Sequence, residues 1–225
     1  MIDYVIERGP AYSILKVKLS PGISITVEPG AYMLHKGDID VQTSTMGAAS
    51  AIARRLFGGE SLFLNTFRAR SSAEIWIAPE VPGDIVSVRL DNGELIIQDT
   101  SYLAHVGDIK IGIAWRGFKG VIAEGELVWL KASGSGLVFI NAYGAIEELK
   151  LDRGEKITVD NGHFVALDGT IKWGVRKLGG WKTFFLGGEG VVVDVEGPGR
   201  VWVQTRTLPA LAYILYKYMK NYMRR

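Results

Sequence analysis

Three histidines are the residues of this sequence best suited to bind a metal ion. His35 and His105 occupy equivalent positions, each two residues before the glycine of a Gly-Asp-Ile turn, whereas Leu167 stands at the third such position. A threefold histidine site is therefore excluded, and a mixed site would need carboxylates that sequence alone does not place. The chain has no cysteine, which excludes disulfides, thiolate catalysis and cysteine-based metal sites. We therefore expect the histidines to be polar residues beside turns, and we expect the protein to bind no metal and no cofactor.

Three glutamates, each following a glycine and preceding an apolar strand, could form an acidic site: Glu60, Glu126 and Glu189. General acid–base catalysis needs two carboxyl groups in different environments, whereas repeated copies share one environment. A carboxylate after a turn can instead accept backbone N–H groups. The glycines around Ser133 and Ser135 lead into a strand, so they lack the helix of a phosphate-binding loop, and no Gly-x-Ser-x-Gly motif occurs. We expect a protein that is not an enzyme.

Segments rich in cations and aromatic residues, and free of acidic residues, precede these Gly-Glu pairs. They contain Arg54, Arg55 and Phe57, then Trp115, Arg116, Phe118 and Lys119, then Trp181, Lys182 and Phe184. As loops clustered at one end of the molecule, they could meet an anionic membrane interface. They could equally stack nucleic-acid bases on a cationic track. A third reading has the aromatic rings packed in the core and the cations solvated.

The last nineteen residues have the pattern of an amphipathic helix. Thr207 suits the N-cap and Pro209 the first turn. Apolar residues then recur every three or four positions. The end is basic through Lys217, Lys220, Arg224 and Arg225, and no acidic residue follows Glu196. Its own β domain, a neighbouring subunit or lipid could cover so apolar a helix.

Short alternating strands and glycine turns recur three times and predict the elements that must position these residues. The turns at Pro21-Gly22, Pro82-Gly83 and Arg153-Gly154 each open a similar series of strands. The predicted fold is all-β, with three homologous β-sandwich or barrel-like units in a pseudo-threefold arrangement. The units cover about residues 10–80, 81–150 and 151–206, a short helix covers 47–57, and a C-terminal helix covers 207–225. The glycines suit turn positions with positive φ.

Composition and charge narrow the class of protein further. Of 225 residues, 48% are hydrophobic and 22% charged, which is typical of a globular protein. The net charge of +2 gives no global attraction for nucleic acid. The N-terminus lacks the apolar region of a signal peptide, and no apolar run is long enough to span a bilayer. We expect a cytoplasmic protein, able to bind peripherally at a membrane, and the few Asn and Gln residues hint at a heat-adapted source.

Several motifs together resemble a known family. PAYSILKVKL, EPGAYM, GGESLFLNTF, GSGLVFINAYGAIEELKL, VDNGHFVAL and GPGRVWVQTR are similar to the altered-inheritance-of-mitochondria (twenty-four) family, from about Pro10 to Arg206. The resemblance implies a fold like that of the trp RNA-binding attenuation protein, a short β-helix-like unit, repeated three times within one chain. It also implies relatives in mitochondria that are associated with the organisation of inner-membrane complexes. The family has no established catalytic residues, so none is transferred here.

Three functional hypotheses follow from these observations. The leading one is a non-enzymatic, self-associating β scaffold or interaction protein that forms homo-oligomers and docks on anionic membranes or membrane protein complexes. The alternative is an RNA- or nucleic-acid-binding module, which the implied fold suggests only by analogy. A further alternative is a small-molecule or metal-binding protein with its ligand held between β units.

Overall fold

The computed structural model describes residues 2–45, 63–122, 125–178, 190–220 and 222. Within these ranges the protein is built from β-strands and one C-terminal α-helix, which confirms the predicted all-β class. The short helix predicted for residues 47–57 lies outside the described residues. The elements are β1 (Asp3–Glu7), β2 (Ile14–Leu19), β3 (Ser24–Val27), β4 (Tyr32–Lys36), β5 (Ile39–Thr45), β6 (Phe63–Ala69), β7 (Ala73–Ile77), β8 (Ile85–Gln98), β9 (Tyr102–Ile122), β10 (Gly125–Asn141), β11 (Ile146–Leu151), β12 (Lys156–Asp160), β13 (Phe164–Asp168), β14 (Lys172–Lys177), β15 (Val191–Glu196), β16 (Gly199–Gln204) and α1 (Leu208–Met219).

Alternation of apolar and polar residues explains why these segments form strands. In β2, Leu15, Val17 and Leu19 are buried, while Lys16 and Lys18 point to the opposite face. Successive side chains of a strand face opposite sides of the sheet, so this pattern covers one face with apolar groups. The β-branched residues common in these strands also suit the pleated backbone.

Strand pairing follows the same order in three successive segments of the chain. In the first segment, β2–β7–β4 and β3–β6–β5 are the two sets of neighbours. In the last segment, β11–β16–β13 and β12–β15–β14 repeat this order. In the middle segment, β10 pairs with β8 on one side and with β9 on the other. The two halves of these long strands correspond to the two sets of shorter strands in the other segments. The predicted pseudo-threefold packing of three units stays a prediction.

Three apolar cores hold the sheets together. The first contains Phe139 and lies between the four-stranded sheet β1-β2-β7-β4 and one part of a nine-stranded sheet. The second contains Trp202 and is formed by the nine-stranded sheet, β11-β16-β13-β8-β10-β9-β3-β6-β5, folding over on itself. The third contains Trp129 and lies against the three-stranded sheet β12-β15-β14. Trp129 stacks on Phe164 with ring centroids 4.3 Å apart, which adds to the apolar burial.

Two turn glycines have the positive φ expected from the sequence. Gly37 has φ +91° and Gly107 has φ +107°, a region that L side chains rarely adopt. A Cβ at Gly37 would lie 2.6 Å from the carbonyl oxygen of Ser72, and one at Gly107 would lie 2.7 Å from that of Ser135. Both conformation and close backbone approach therefore require glycine in the two Gly-Asp-Ile turns.

Candidate functional site

The helix α1 begins where the sequence predicts, although the Thr207 side chain makes no capping hydrogen bond, and it ends at Met219, before the end of the predicted range 207–225. Thr207 precedes it in an extended conformation (φ −130°, ψ 140°), and Pro209 lies in its first turn. Proline is accepted there because the first N–H groups of a helix have no intrahelical acceptor. The last turn is closed by Lys220 N–H, which donates to the Tyr216 carbonyl at 2.9 Å. The predicted C-terminal helix is confirmed over Leu208–Met219.

The apolar side chains of α1 are left uncovered by the β domain. Not one residue of the helix is buried. Leu215 and Met219 are 51% and 53% exposed, and Tyr218 is 73% exposed. Leu208, Leu211, Leu215 and Met219 recur at three- and four-residue spacing and so lie on one side of the helix. Contiguous exposed apolar surface of this kind is typical of sites that bind proteins or membranes.

The opposite side of α1 is cationic. Lys217 and Lys220 are exposed and stand three residues apart, which places them on the same side of the helix. The helix contains no acidic residue to neutralise them. Arg224 and Arg225, the other predicted cations of this surface, lie outside the described residues. None of the helices in the described ranges is long and apolar enough to cross a bilayer.

The predicted basic-aromatic loops are described only in part. Arg54, Arg55, Phe57, Trp181, Lys182 and Phe184 lie outside the described residues. The segment with Trp115, Arg116, Phe118 and Lys119 differs from the predicted loop, because it belongs to β9, where Trp115 and Arg116 pair with Trp129 and Val128 of β10. Trp115 is half-buried and contacts Trp129 at a ring-centroid distance of 5.6 Å. The indole of Trp115 therefore packs on the third core.

Two of the histidines lie beside tyrosines that the sequence analysis did not single out. His105 is buried, and its Nδ1 lies 2.7 Å from the hydroxyl of Tyr102. Burial lowers the pKa of His105 to about 4, so the ring is neutral near pH 7. His35 has the same partner three residues earlier, with Nδ1 2.8 Å from the Tyr32 hydroxyl. The Tyr-x-x-His spacing in both copies was the available signal.

Within the described residues, no group of three or more His, Asp or Glu side chains is placed to hold a metal ion. The third histidine, His163, donates from Nδ1 to the Gln204 carbonyl at 2.7 Å, which is a structural role. Of the three glutamates that follow glycine, Glu60 and Glu189 lie outside the described residues, and Glu126 lies in β10.

An acidic cluster lies where β3 meets β9, and the sequence analysis missed it. Burial, and after it the nearby carboxylates of Glu80 and Asp99, together raise the pKa of Glu28 to about 8. Burial also raises the pKa of Asp99 to about 6, against the lowering effect of the backbone N–H of Thr100. Glu28 and Asp99 are 71 residues apart in sequence, so only the pairing of β3 with β9 places them together. The cluster makes the stability of the fold depend on pH.

A cleft of about 730 Å³ lies between the β1-β2-β7-β4 sheet and the nine-stranded sheet. Its lining combines apolar side chains, such as Ile23 and Val106, with the cations Lys18 and Arg89. Lys18 forms an exposed ion pair with Asp3 at 2.8 Å. The small-molecule or metal-binding alternative stays a prediction for a space of this kind between β layers.

Comparisons with known proteins give the chain a family. A model of the family described as mitochondrial biogenesis AIM24 matches residues 4–206. An uncharacterized protein of Streptococcus pyogenes serotype M6 is 25% identical, with 96% of this chain and 90% of that protein covered. The crystal structure of the S. pyogenes protein SPYM3_0169 has a TM-score of 0.80 at 25% identity and covers 97% of this chain and 100% of that one. These matches confirm the family inferred from the motifs: the chain belongs to the mitochondrial biogenesis AIM24 family.

Proposed function

We propose that this protein is a non-enzymatic, self-associating β scaffold that docks on anionic membrane surfaces through α1. The observation that carries the proposal is the uncovered helix, none of whose residues the β domain buries. An isolated helix of twelve residues is marginal in water, because propensity alone seldom offsets the cost of ordering it. A covering surface would supply the missing stabilisation.

Lipid fits both sides of α1. Leu208, Leu215 and Met219 can enter the boundary between headgroups and acyl chains, and full burial of such a side chain stabilises by about 1.5–3 kcal/mol. Lys217 and Lys220 then face the headgroups, where each cation contributes about 1 kcal/mol at an anionic surface. Exposed tyrosines along the helix suit the polar–apolar boundary of a membrane.

Charge favours lipid over a second copy of the helix as the cover. No acidic residue follows Glu196 in the sequence, so two copies of α1 would bring like charges together. An anionic headgroup layer instead attracts the cationic side. The family description, mitochondrial biogenesis, concerns an organelle bounded by membranes and is in keeping with this proposal.

Co-flotation with vesicles of phosphatidylcholine, with and without phosphatidylserine, tests the proposal. We expect retention on the anionic vesicles that weakens as salt is added, because the cationic contribution is screened. Lys217→Gln combined with Lys220→Gln should lower affinity by about 2 kcal/mol, or about thirtyfold at low salt. Leu215→Asn combined with Met219→Asn should abolish retention.

Two controls keep the result specific. Lys150→Gln combined with Lys172→Gln removes the same charge from exposed lysines on β11 and β14, and should leave flotation unchanged. Size-exclusion chromatography of the Leu215 and Met219 variant reports whether the helix instead mediates self-association. Absence of flotation at low salt would refute membrane docking. A loss of oligomers in the same variant would assign the helix to a protein partner.

The implied trp RNA-binding attenuation protein-like fold keeps RNA binding as an alternative, without a contact of the described residues that favours it. RNA retention that falls steeply with salt, and that survives the loss of flotation in the helix variants, would support that alternative.

A further inference from the structure

Two junctions within the chain join strands of successive segments with the same register. At the first, β3 pairs antiparallel with β9 through Ile25↔Val106, Thr26↔His105 and Val27↔Ala104. At the second, β8 pairs antiparallel with β13 through Leu95↔Asp168, Ile96↔Leu167 and Ile97↔Ala166. Val27 and Ile97 each precede the next strand by five residues, at Tyr32 and Tyr102, so the two sets of pairs are equivalent position by position.

If the first and last segments paired in the same way, β4 and β12 would each need a partner strand that the described part of the chain does not supply. By position, β4 corresponds to β13 and to the first part of β9, and β12 corresponds to β3 and to the second part of β8. Yet β4 is the edge of one sheet and β12 the edge of another in the described part of the chain. Each presents a row of backbone N–H and C=O groups that an antiparallel strand can pair.

We propose that β12 of one copy pairs antiparallel with β4 of the next, completing between chains the junction that occurs twice within each chain. The conserved register sets the pairs as Ile157↔Lys36, Thr158↔His35 and Val159↔Leu34. The partner is therefore a second copy of this chain, bound head to tail. The inference specifies the self-association in the proposed function and requires no contribution from α1.

Side chains at the two edges repeat those of the first internal junction. There, Thr26 stands opposite His105, and the Tyr102 hydroxyl contacts both His105 and the Thr26 carbonyl, the latter at 3.4 Å. On β4, the hydroxyl of Tyr32 already contacts His35 at 2.8 Å. The proposed register brings Thr158 opposite His35, so the same three residue types would meet again.

Apolar positions near these edges are also left half-covered. Trp76 is equivalent to Phe139 and Trp202, because each stands at the same register position opposite β2, β8 and β11. Phe139 and Trp202 are both fully buried, whereas Trp76 remains partly exposed beneath Lys16, whose Nζ lies 4.1 Å from the ring centroid. Trp76 thus has the exposure expected of a contact that is completed by another copy.

The facing side of this contact shows the same deficit. Leu149 on β11 is equivalent by register to Val17 on β2 and Val88 on β8. Val17 is 0% exposed and Val88 1%, because the next layer of sheet covers each of them, whereas Leu149 is 39% exposed. Head-to-tail pairing places the β1-β2-β7-β4 sheet of the next copy over Leu149.

Disulfide trapping tests the register, and the chain suits it because it contains no cysteine. Hydrogen-bonded and non-hydrogen-bonded pairs alternate along an antiparallel ladder. Glu28 N–H donates to the Leu103 carbonyl, so Glu28 and Leu103 form a hydrogen-bonded pair. Ile25↔Val106, three positions away, is therefore a non-hydrogen-bonded pair, with Cα atoms about 4.5 Å apart. That spacing accepts a disulfide. Lys36→Cys and Ile157→Cys occupy the equivalent positions at the proposed junction. They are made in separate full-length chains, which are mixed and oxidised without lipid.

We expect the mixture to form a Lys36→Cys to Ile157→Cys heterodimer about tenfold faster than Lys36→Cys mixed with Thr158→Cys, because a one-residue shift directs the side chain to the other face. Circular dichroism of each variant checks that it is folded. Equal rates for the two mixtures would overturn the proposal. Sedimentation of the wild-type chain as a monomer over about a hundredfold range of concentration would also overturn it. Crosslinking without flotation would uphold this inference while refuting membrane docking.

Discussion

Glu28 gives the stability of this protein a pH dependence that a single substitution should remove. Its carboxyl is half-buried at the junction of β3 and β9, and the pKa is raised to about 8, first by burial and then by Glu80 and Asp99. In the unfolded chain the ordinary value of 4.5 applies. Between these two values the folded state holds a proton that the unfolded state has released. The free energy of unfolding therefore falls as pH rises through this window.

The size of the effect follows from the difference between the two pKa values. Each pKa unit corresponds to about 1.4 kcal/mol, which sets an upper limit of about 5 kcal/mol for Glu28. The side chain is only partly buried, and water near it stabilises the charged form. A loss of about 2–3 kcal/mol between about pH 5 and about pH 9 is the discounted expectation.

Urea denaturation of the wild type and of Glu28→Gln across this pH range measures the effect. The glutamine has no charge to bury, so the variant should become more stable than the wild type by about 2–3 kcal/mol towards pH 9. Asp99 titrates in both proteins, and its contribution largely cancels in the comparison. Glu147→Gln, at an exposed glutamate on β11, is the matched control and should follow the wild type. Parallel curves for the wild type and Glu28→Gln would refute the reasoning.

Other substitutions probe the core, the turns and the buried histidine. Trp202→Ala should cost about 3–5 kcal/mol, and Trp76→Ala, which is partly exposed within one chain, should cost less, as measured by urea denaturation of the monomeric chain. Gly37→Ala should destabilise more than Gly22→Ala, since both have positive φ but only Gly37 would bring a Cβ against backbone; thermal unfolding compares them. The pKa of His105 is lowered to about 4 from 6.5, so stability should fall as pH drops through that window, and His105→Gln should lose this slope in thermal unfolding between those pH values.

Local patterns were sufficient to predict the strands and the final helix. Alternation in β2 and β7 assigns the buried face residue by residue, and Thr207 with Pro209 marks the start of α1. These features depend on residues within one turn or one strand. The exposure of α1, in contrast, depends on how the helix lies relative to strands far from it in the sequence, and no residue of the helix is buried. The sequence did not distinguish among the β domain, a neighbouring subunit and lipid as the surface that covers the helix.

Contacts between strands that are far apart in the sequence could not be predicted from such local patterns. The segment with Trp115 was predicted as a basic-aromatic loop before a Gly-Glu pair, but it is a strand that pairs with β10, as in Trp115↔Trp129 and Gly117↔Leu127. The cluster of Glu28 with Asp99 arises in the same way from the pairing of β3 with β9. Register between strands far apart in sequence is a tertiary property, so neither could be read from spacing along the chain.

Membrane docking and head-to-tail pairing together predict a coupling that neither predicts alone. Each copy carries one α1, so an assembly joined through β12 and β4 presents several helices to one surface. Once the first helix binds, the others act at a high effective concentration, and the apparent affinity can rise by about a hundredfold or more without a new contact. His35→Pro should remove this gain, because by analogy with Thr26↔His105 the His35 N–H points towards the β12 edge and not towards β7. The variant should float as weakly as single helices do, and at a retention independent of protein concentration. Concentration-dependent flotation that persists in His35→Pro would show that the helices are gathered by a different contact.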